Sequence, residues 1–275
     1  MAALEMLNLM ETAPASPLGA FGFPEMHKRI EAMKLAYADV HRYDADPHTY
    51  DVPVEQLLSK DYARKRAALI DPVKAHCDVP AGQPVGGDTT YLTVVDKDGN
   101  MASWIQSVYA EFGSGVTVEG MGFILQNRGG GFTLEPGHPN VLAGGKRPFH
   151  TIIPAFMERG DAHIGFGIMG GANQPLAHAQ FVSNIVDYGM NLQAALEAPR
   201  FTKRNSTGCD VSIEVRVPAS TLQQLSERGH MIAIRREYTQ LMGRGQAILH
   251  NSKTGTNYAA SDPRADGAAV PEPIR

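Results

Sequence analysis

Residues 86–90 read Gly-Gly-Asp-Thr-Thr, and this run holds the most chemically suggestive threonine of the 275-residue chain. Two glycines allow backbone conformations that other residues avoid, and a hydroxyl side chain follows at the head of a strand-like segment. An ordinary threonine is a weak nucleophile. If the Asp88–Thr89 bond were cut, Thr89 would carry both its hydroxyl and a free α-amine. Such an amine, with a reference pKa of about 7.7–8, can take the hydroxyl proton near neutral pH. Pairing threonine with its own terminal amine is a recognised way to activate it. By itself the run is more commonly an ordinary strand start.

Glycine-rich segments at 129–131, 144–145 and 170–171 raise the chemical content. Backbone N–H groups in such loops can face a developing oxyanion, at about 3 kcal/mol per donor. The first two read as plain turns. Gly170 and Gly171 follow the strand-like HIGFGIM and precede a helical stretch, so their N–H groups make the better case.

Helices and strands must position these groups. Met26, Ile30, Met33, Tyr37 and Val40 recur at helical spacing, with Lys28, Arg29, Glu31 and Lys34 on the other face, predicting an amphipathic helix between Pro24 and Tyr43. The opening residues look like a helix under way, and Pro53 starts another helical stretch through Leu69, with Ser59 as an internal cap. The turn-rich DVPAGQPVGGD at 78–88 reads as an exposed linker. Beyond it, 91–95 and 101–108 are strand-like and meet across Asp98-Gly99, a hairpin signal. Further strands are expected at 122–125, 151–156, 163–168, 211–215 and 246–250, and helices at 176–188, 192–198 and 219–228. Strands in runs with helices grouped apart indicate an α+β layering.

Composition bounds the function. Apolar residues are 43% and charged residues 20% of an ordinary globular chain whose formal net charge is −4, with its basic residues scattered. That argues against nucleic acid or an anionic membrane as partner and for small metabolites or peptides. No apolar run approaches the ~20 residues that span a bilayer, and the first residues lack a secretory pattern. Cys77 and Cys209 have no metal-ligand spacing; a disulfide stays open, with two buried or idle thiols the expected state. No metal or cofactor is implied.

Thr89-Thr90 with YLTVVDKDGN, then FGSGV, KRPFHTIIPA, MGG, IVDYGMNLQAALEAPRF and SDPRADGAA, occur in one order through 89–275. Together they resemble the small subunit of the γ-glutamyltransferase family, and EAMKLAYADVHRY and PVEQLLSKDYA resemble the end of its large subunit. The resemblance implies a four-layer αββα N-terminal-nucleophile hydrolase fold lacking most of the large subunit. Residues 1–88 would be the tail of that subunit, mostly helical and ending in the linker, and 89–275 the small subunit. It implies self-cleavage between Asp88 and Thr89, followed by hydrolysis or transfer of γ-glutamyl amides such as glutathione.

Residue by residue, Thr89 takes the nucleophile's position, Ser107 that of a hydroxyl supporting it, and Gly170 and Gly171 the oxyanion-hole pair. Substrate positions depart from the family. Tyr109 stands for an asparagine, Arg128 for an amide or acid, Gly131 for an aspartate that grips an ammonium, and His150 and Thr151 for a serine pair beside a carboxylate. Arg128 invites a carboxylate instead, and the set resembles a branch with acylase-like members and an oxamate amidohydrolase. Besides the small-molecule amide or γ-glutamyl peptide, the expected partner is the remainder of the large subunit or a second copy of the chain. A cytoplasmic location is expected, with periplasm or secretion open to an upstream signal. The competing reading is an unprocessed, non-catalytic fragment.

Overall fold

Two helices open the chain, α1 (Ala2–Glu11) and α2 (Phe23–Tyr43). The computed structural model describes residues 1–78, 88–203 and 208–272, with Asp88 described by its backbone alone. The linker reading and Gly86-Gly87 therefore lie largely outside the described residues. Met26, Ile30 and Met33 of α2 enter a core with Leu176, Phe201, Ile213 and Leu225, as their spacing predicts. The opposite face differs from expectation. Arg29, Glu31 and Lys34 are only 1%, 2% and 0% exposed. They are held by partners: Arg29 donates to Glu25, Asn184 and Ser183, and Lys34 to Glu31 and the His76 carbonyl. Buried charge without such partners would cost several kcal/mol. A charged helix face thus became an internal contact.

The helical stretch after Pro53 divides into α3 (Val54–Leu57) and α4 (Lys60–Ala67). Ser59 caps α4 by accepting from the Tyr62 N–H at 3.1 Å, the role its position suggests. Strands β1 (Asp88–Val95) and β2 (Met101–Tyr109) form the expected hairpin, turning at Gly99, whose φ is +83°. Asp96 accepts from the N–H groups of Asp98 and Asn100 and closes the turn. Then come β3 (Ala155–Arg159), β4 (Ala162–Met169), α5 (Gln174–Val186), α6 (Leu192–Glu197), β5 (Phe201–Thr202), β6 (Asp210–Glu214), α7 (Ala219–Glu227), β7 (Met231–Arg235), β8 (Arg244–Asn251) and β9 (Thr256–Ser261).

A four-stranded antiparallel sheet runs β3-β4-β8-β9, and β5-β6-β7 form a smaller sheet in which β6 and β7 are parallel. Ile164, Phe166 and Ile168 of β4 face Ala177 and Phe181 of α5 and Leu196 of α6. The alternate residues face the hairpin, because successive side chains of a strand point to opposite sides. There is no room for a Cβ there: one at Gly165 would lie 2.6 Å from Thr93 Oγ1, and one at Gly167 2.4 Å from the Tyr91 ring. The hairpin therefore lies against the four-stranded sheet. This gives three layers, α, β and β, of the four-layer α+β sandwich. On the hairpin's outer side Leu92, Val94 and Trp104 are 46%, 53% and 57% exposed.

Some expectations are corrected. Residues 122–125 form no strand; Ile124 makes a single bridge to Thr117. Residues 151–154 are loop, and β3 starts at Ala155. Cys77 and Cys209 are not idle thiols but a disulfide, with Cα atoms 5.0 Å apart. Hydrogen bonds from Ala75 to the Arg228 carbonyl and from Met231 to the Cys209 carbonyl bring those distant segments together.

Candidate active site

The hairpin pairs regularly from Val95↔Met101 to Thr90↔Gln106 and then slips, since Asp88 pairs with Tyr109. Thr89 is thereby left opposite two residues, Ser107 and Val108. Such a bulge bends a strand and re-aims its side chains, and bulges are over-represented beside active sites. Thr89 is 4% exposed and shares the inner face with Tyr91. Thr93 meets Gly165 and Tyr91 meets Gly167. The next step of that progression brings Thr89 to the level of Met169, beside Gly170.

Gly170 and Gly171 sit where β4 ends, with φ of +153° and +59°, values that L side chains rarely adopt. A Cβ on Gly170 would come within 3.3 Å of the Gly243 Cα. A single 3₁₀ turn, Gly171–Asn173, then leads into α5, with Pro175 in its first turn. Both amide atoms of the Asn173 side chain are buried without a hydrogen-bond partner among the described residues. The sequence carried no signal for Asn173, because its placement depends on the positive-φ turn before it.

Around the hairpin's end the candidate substrate residues meet. Ser107 Oγ accepts from the Tyr109 N–H at 3.0 Å. Tyr109 is buried at φ +79°, an uncommon conformation for a bulky residue and one that concentrates at functional sites. The Arg128 guanidinium lies over its ring, 5.3 Å from the centroid. Arg128 is 4% exposed and donates through Nη1 to Thr151 Oγ1 at 3.1 Å. Its Nη2 is buried and makes no hydrogen bond among the described residues. Burial lowers the proton affinity of Arg128 and raises the pKa of the Tyr109 phenol, each opposed by the other group's charge. His150 is shifted down by partial burial and then by the Arg128 charge, so its neutral form is favoured.

His150, Thr151, Gly170 and Asn173 line a cavity of about 720 Å³, whose far wall includes Tyr37 and His41 of α2 and Lys203. Tyr37 donates its hydroxyl to the Ala172 carbonyl, tying α2 to the glycine turn. Arg147, at the foot of the loop bearing His150, is held by Asp46, which accepts from its N–H and its guanidinium at 2.9 and 3.0 Å. Those bonds hold the Asp46 carboxyl well below the usual carboxylate range. Thr151 thus belongs both to the Arg128 contact and to the cavity wall. Thr89, Ser107, Tyr109 and Arg128 are not among the lining residues.

Two other clusters are structural. Arg264 donates to Glu214 and Asp262, and Arg200 pairs with Asp262 at 2.8 Å, all of them buried. The SDPRADG run is thereby a core lock that clamps β9 to β6 and α6. His27, Glu31 and His230 bring potential ligand atoms within 4.8 Å of one another. Lys34, however, donates to Glu31 at 2.6 Å, and its ammonium opposes a cation there. No helix of the described residues is long and apolar enough to cross a membrane.

Comparison with known proteins bears on this arrangement. The gamma-glutamyltranspeptidase family model matches residues 1–272. The chain is 38% identical over 269 residues to the glutathione hydrolase-like YwrD proenzyme of Bacillus subtilis, covering 96% of this chain and 50% of that protein. It is 36% identical over 250 residues to an oxamate amidohydrolase proenzyme of Klebsiella pneumoniae, covering 89% of this chain and 47% of the relative. A crystal structure of cephalosporin acylase from Bacillus halodurans superposes with a TM-score of 0.89 at 42% identity, over 99% of this chain and 49% of that one. The chain thus spans about half the length of the curated relatives it matches.

Proposed function

Because this chain belongs to the gamma-glutamyltranspeptidase family, we propose that Thr89 is the nucleophile of an amide hydrolase or acyltransferase, released by self-cleavage of the Asp88–Thr89 bond. The family consists of hydrolases and transferases, several of them named as proenzymes. The position of Thr89 carries the reading. It stands on the buried face of β1, opposite the bulge at Ser107, and the contacts of Thr93 with Gly165 and Tyr91 with Gly167 run toward the positive-φ glycines that end β4.

The steps follow from those groups. Once freed, the Thr89 amine accepts the hydroxyl proton as Oγ attacks a substrate carbonyl. Ser107, on the facing strand, orients the nucleophile. N–H groups of Gly170 and Gly171 stabilise the oxyanion, a contribution of about 3 kcal/mol each. Collapse transfers the proton to the departing amine and leaves an ester on Thr89. Water or an acceptor amine then releases the acyl group.

Substrate choice rests on Arg128. A guanidinium that is 4% exposed and has one Nη without a hydrogen bond among the described residues is suited to a carboxylate, which it can grip through two parallel bonds. γ-Glutamyl amides such as glutathione bear an α-carboxylate and are the first class to test. Their ammonium finds no side chain at Gly131, where a Cβ would already lie 3.3 Å from the Phe149 carbonyl oxygen. A short carboxylate-bearing amide of the oxamate type, or an acyl side chain, is accordingly the second class. Comparing turnover of a γ-glutamyl anilide, oxamate and an uncharged acyl anilide tests this; preference for the uncharged anilide overturns the role of Arg128.

In this account residues 1–88 and 89–275 become separate chains, and the outer hairpin face bearing Leu92, Val94 and Trp104 receives a further part of the large subunit or a second copy of the chain. An apolar face of that kind is an association surface. The disulfide favours a periplasmic or secreted location over a reducing cytoplasm.

A further inference from the structure

We infer that the Cys77–Cys209 disulfide is the covalent tether of the mature protein, joining the two chains that self-cleavage leaves behind. The inference rests on the processing at Asp88–Thr89 proposed above. That break places Cys77 in the first product and Cys209 in the second, and the chain has only these two cysteines. The cleavage changes no oxidation state. Thr89 Oγ displaces its own amide nitrogen from the Asp88 carbonyl carbon, and the nitrogen takes the hydroxyl proton. Water then opens the resulting ester to an Asp88 carboxyl and a free Thr89 hydroxyl. One peptide bond and one water are consumed, and the S–S bond is untouched.

The bridge is held by contacts that do not depend on the chain between 78 and 88. On the Cys77 side, Ala75 N–H donates to the Arg228 carbonyl at 2.8 Å, Lys34 to the His76 carbonyl at 2.8 Å, and His76 N–H to Glu31 at 3.3 Å. On the Cys209 side, Lys203 donates to the Gly208 and Asp210 carbonyls, and Met231 N–H to the Cys209 carbonyl. A buried lysine thus anchors the backbone beside each sulfur. Both cysteines stay in register after the break, so the bridge survives it.

The tether changes how the processed protein holds together. Without it, the first chain is retained by the core that Met26, Ile30 and Met33 share with Leu176, Phe201 and Leu225, and by Arg29 on Ser183 and Asn184. Such association weakens on dilution. A covalent link makes re-docking intramolecular and independent of concentration.

The test is intact mass of the full-length protein, alkylated at lysis and measured with and without a thiol reductant. One species heavier than the uncut chain by one water, resolving into two on reduction with the break before Thr89, is the expected result. Cys77→Ser and Cys209→Ser should each give two species without reductant, and tenfold dilution should lower their urea midpoints while leaving the wild type unmoved. Two species in both conditions for the wild type overturn the tether and leave processing intact. One uncut species in both conditions overturns the tether together with the processing it rests on.

Discussion

Replacing Arg128 by glutamine removes the guanidinium and keeps a polar side chain in a site that is 4% exposed. In the free protein this change should be mild. It deletes one hydrogen bond to Thr151 at 3.1 Å and one stacking contact on Tyr109 at 5.3 Å, together about 1–3 kcal/mol. Against that loss, it relieves the cost of burying a cation that pairs with no carboxylate among the described residues. With a carboxylate substrate bound the balance shifts, because a charge-assisted bond contributes about 1.5–3 kcal/mol. At 1.4 kcal/mol per factor of ten, kcat/KM for γ-glutamyl or oxamate-type amides should fall about 10- to 150-fold. An acyl anilide without a carboxylate should change less than about threefold. Arg128→Lys should fall between, since lysine keeps the charge but loses the planar fork. Steady-state kinetics on the paired substrates is the assay. Equal losses on both, or none on either, would refute the role of Arg128 in substrate choice.

Three further predictions concern the frame around it. Gly170→Ala places a Cβ 3.3 Å from the Gly243 Cα at φ +153°, so kcat should fall on the order of a hundredfold as the oxyanion donors shift, with KM little changed; an unaffected kcat would remove the glycine pair from the mechanism. Gly167→Ala drives a Cβ against the Tyr91 ring and should lower the stability measured in urea by about 1–3 kcal/mol, the usual cost of overpacking. His178 and His230 are shifted down to about 3, chiefly by burial, so the unfolded chain binds more protons below pH ~6.5 and stability should drop as pH falls from 6.5 toward 3, by about 1.4 kcal/mol per pH unit for each histidine. Asp46, likewise shifted down, by its bonds from Arg147, adds a loss below pH ~4; urea midpoints that do not move between pH 7 and 5 would contradict the histidine assignment.

Local signals carried much of the fold. The periodicity of Met26, Ile30 and Met33, the Asp98-Gly99 turn and the Ser59 cap each follow from a few neighbouring residues, and each is present in the structure. What failed depends on distant contacts. The burial of the α2 charges could not be read from its own sequence, because the hydrogen bonds to Asn184, Ser183 and the His76 carbonyl that complete the Glu25 and Glu31 ion pairs come from elsewhere in the chain. The pairing of Cys77 with Cys209 across 132 residues has the same cause. At the site, the family motifs pointed to residues that meet, as Arg128 does Thr151. They did not reveal the bulge opposite Thr89, the Gly165–Gly167 seat for Tyr91 and Thr93, or Asn173, because register and sheet stacking set those features.

The most direct test of the central claim is the intact mass, under reducing conditions, of the full-length protein and its Thr89→Ala variant after incubation near neutral pH. The account predicts a break between Asp88 and Thr89 in the wild type, a new chain beginning at Thr89, and an uncut variant without amidase activity. A wild type that stays whole, or a variant that is cut and active like the wild type, would contradict it.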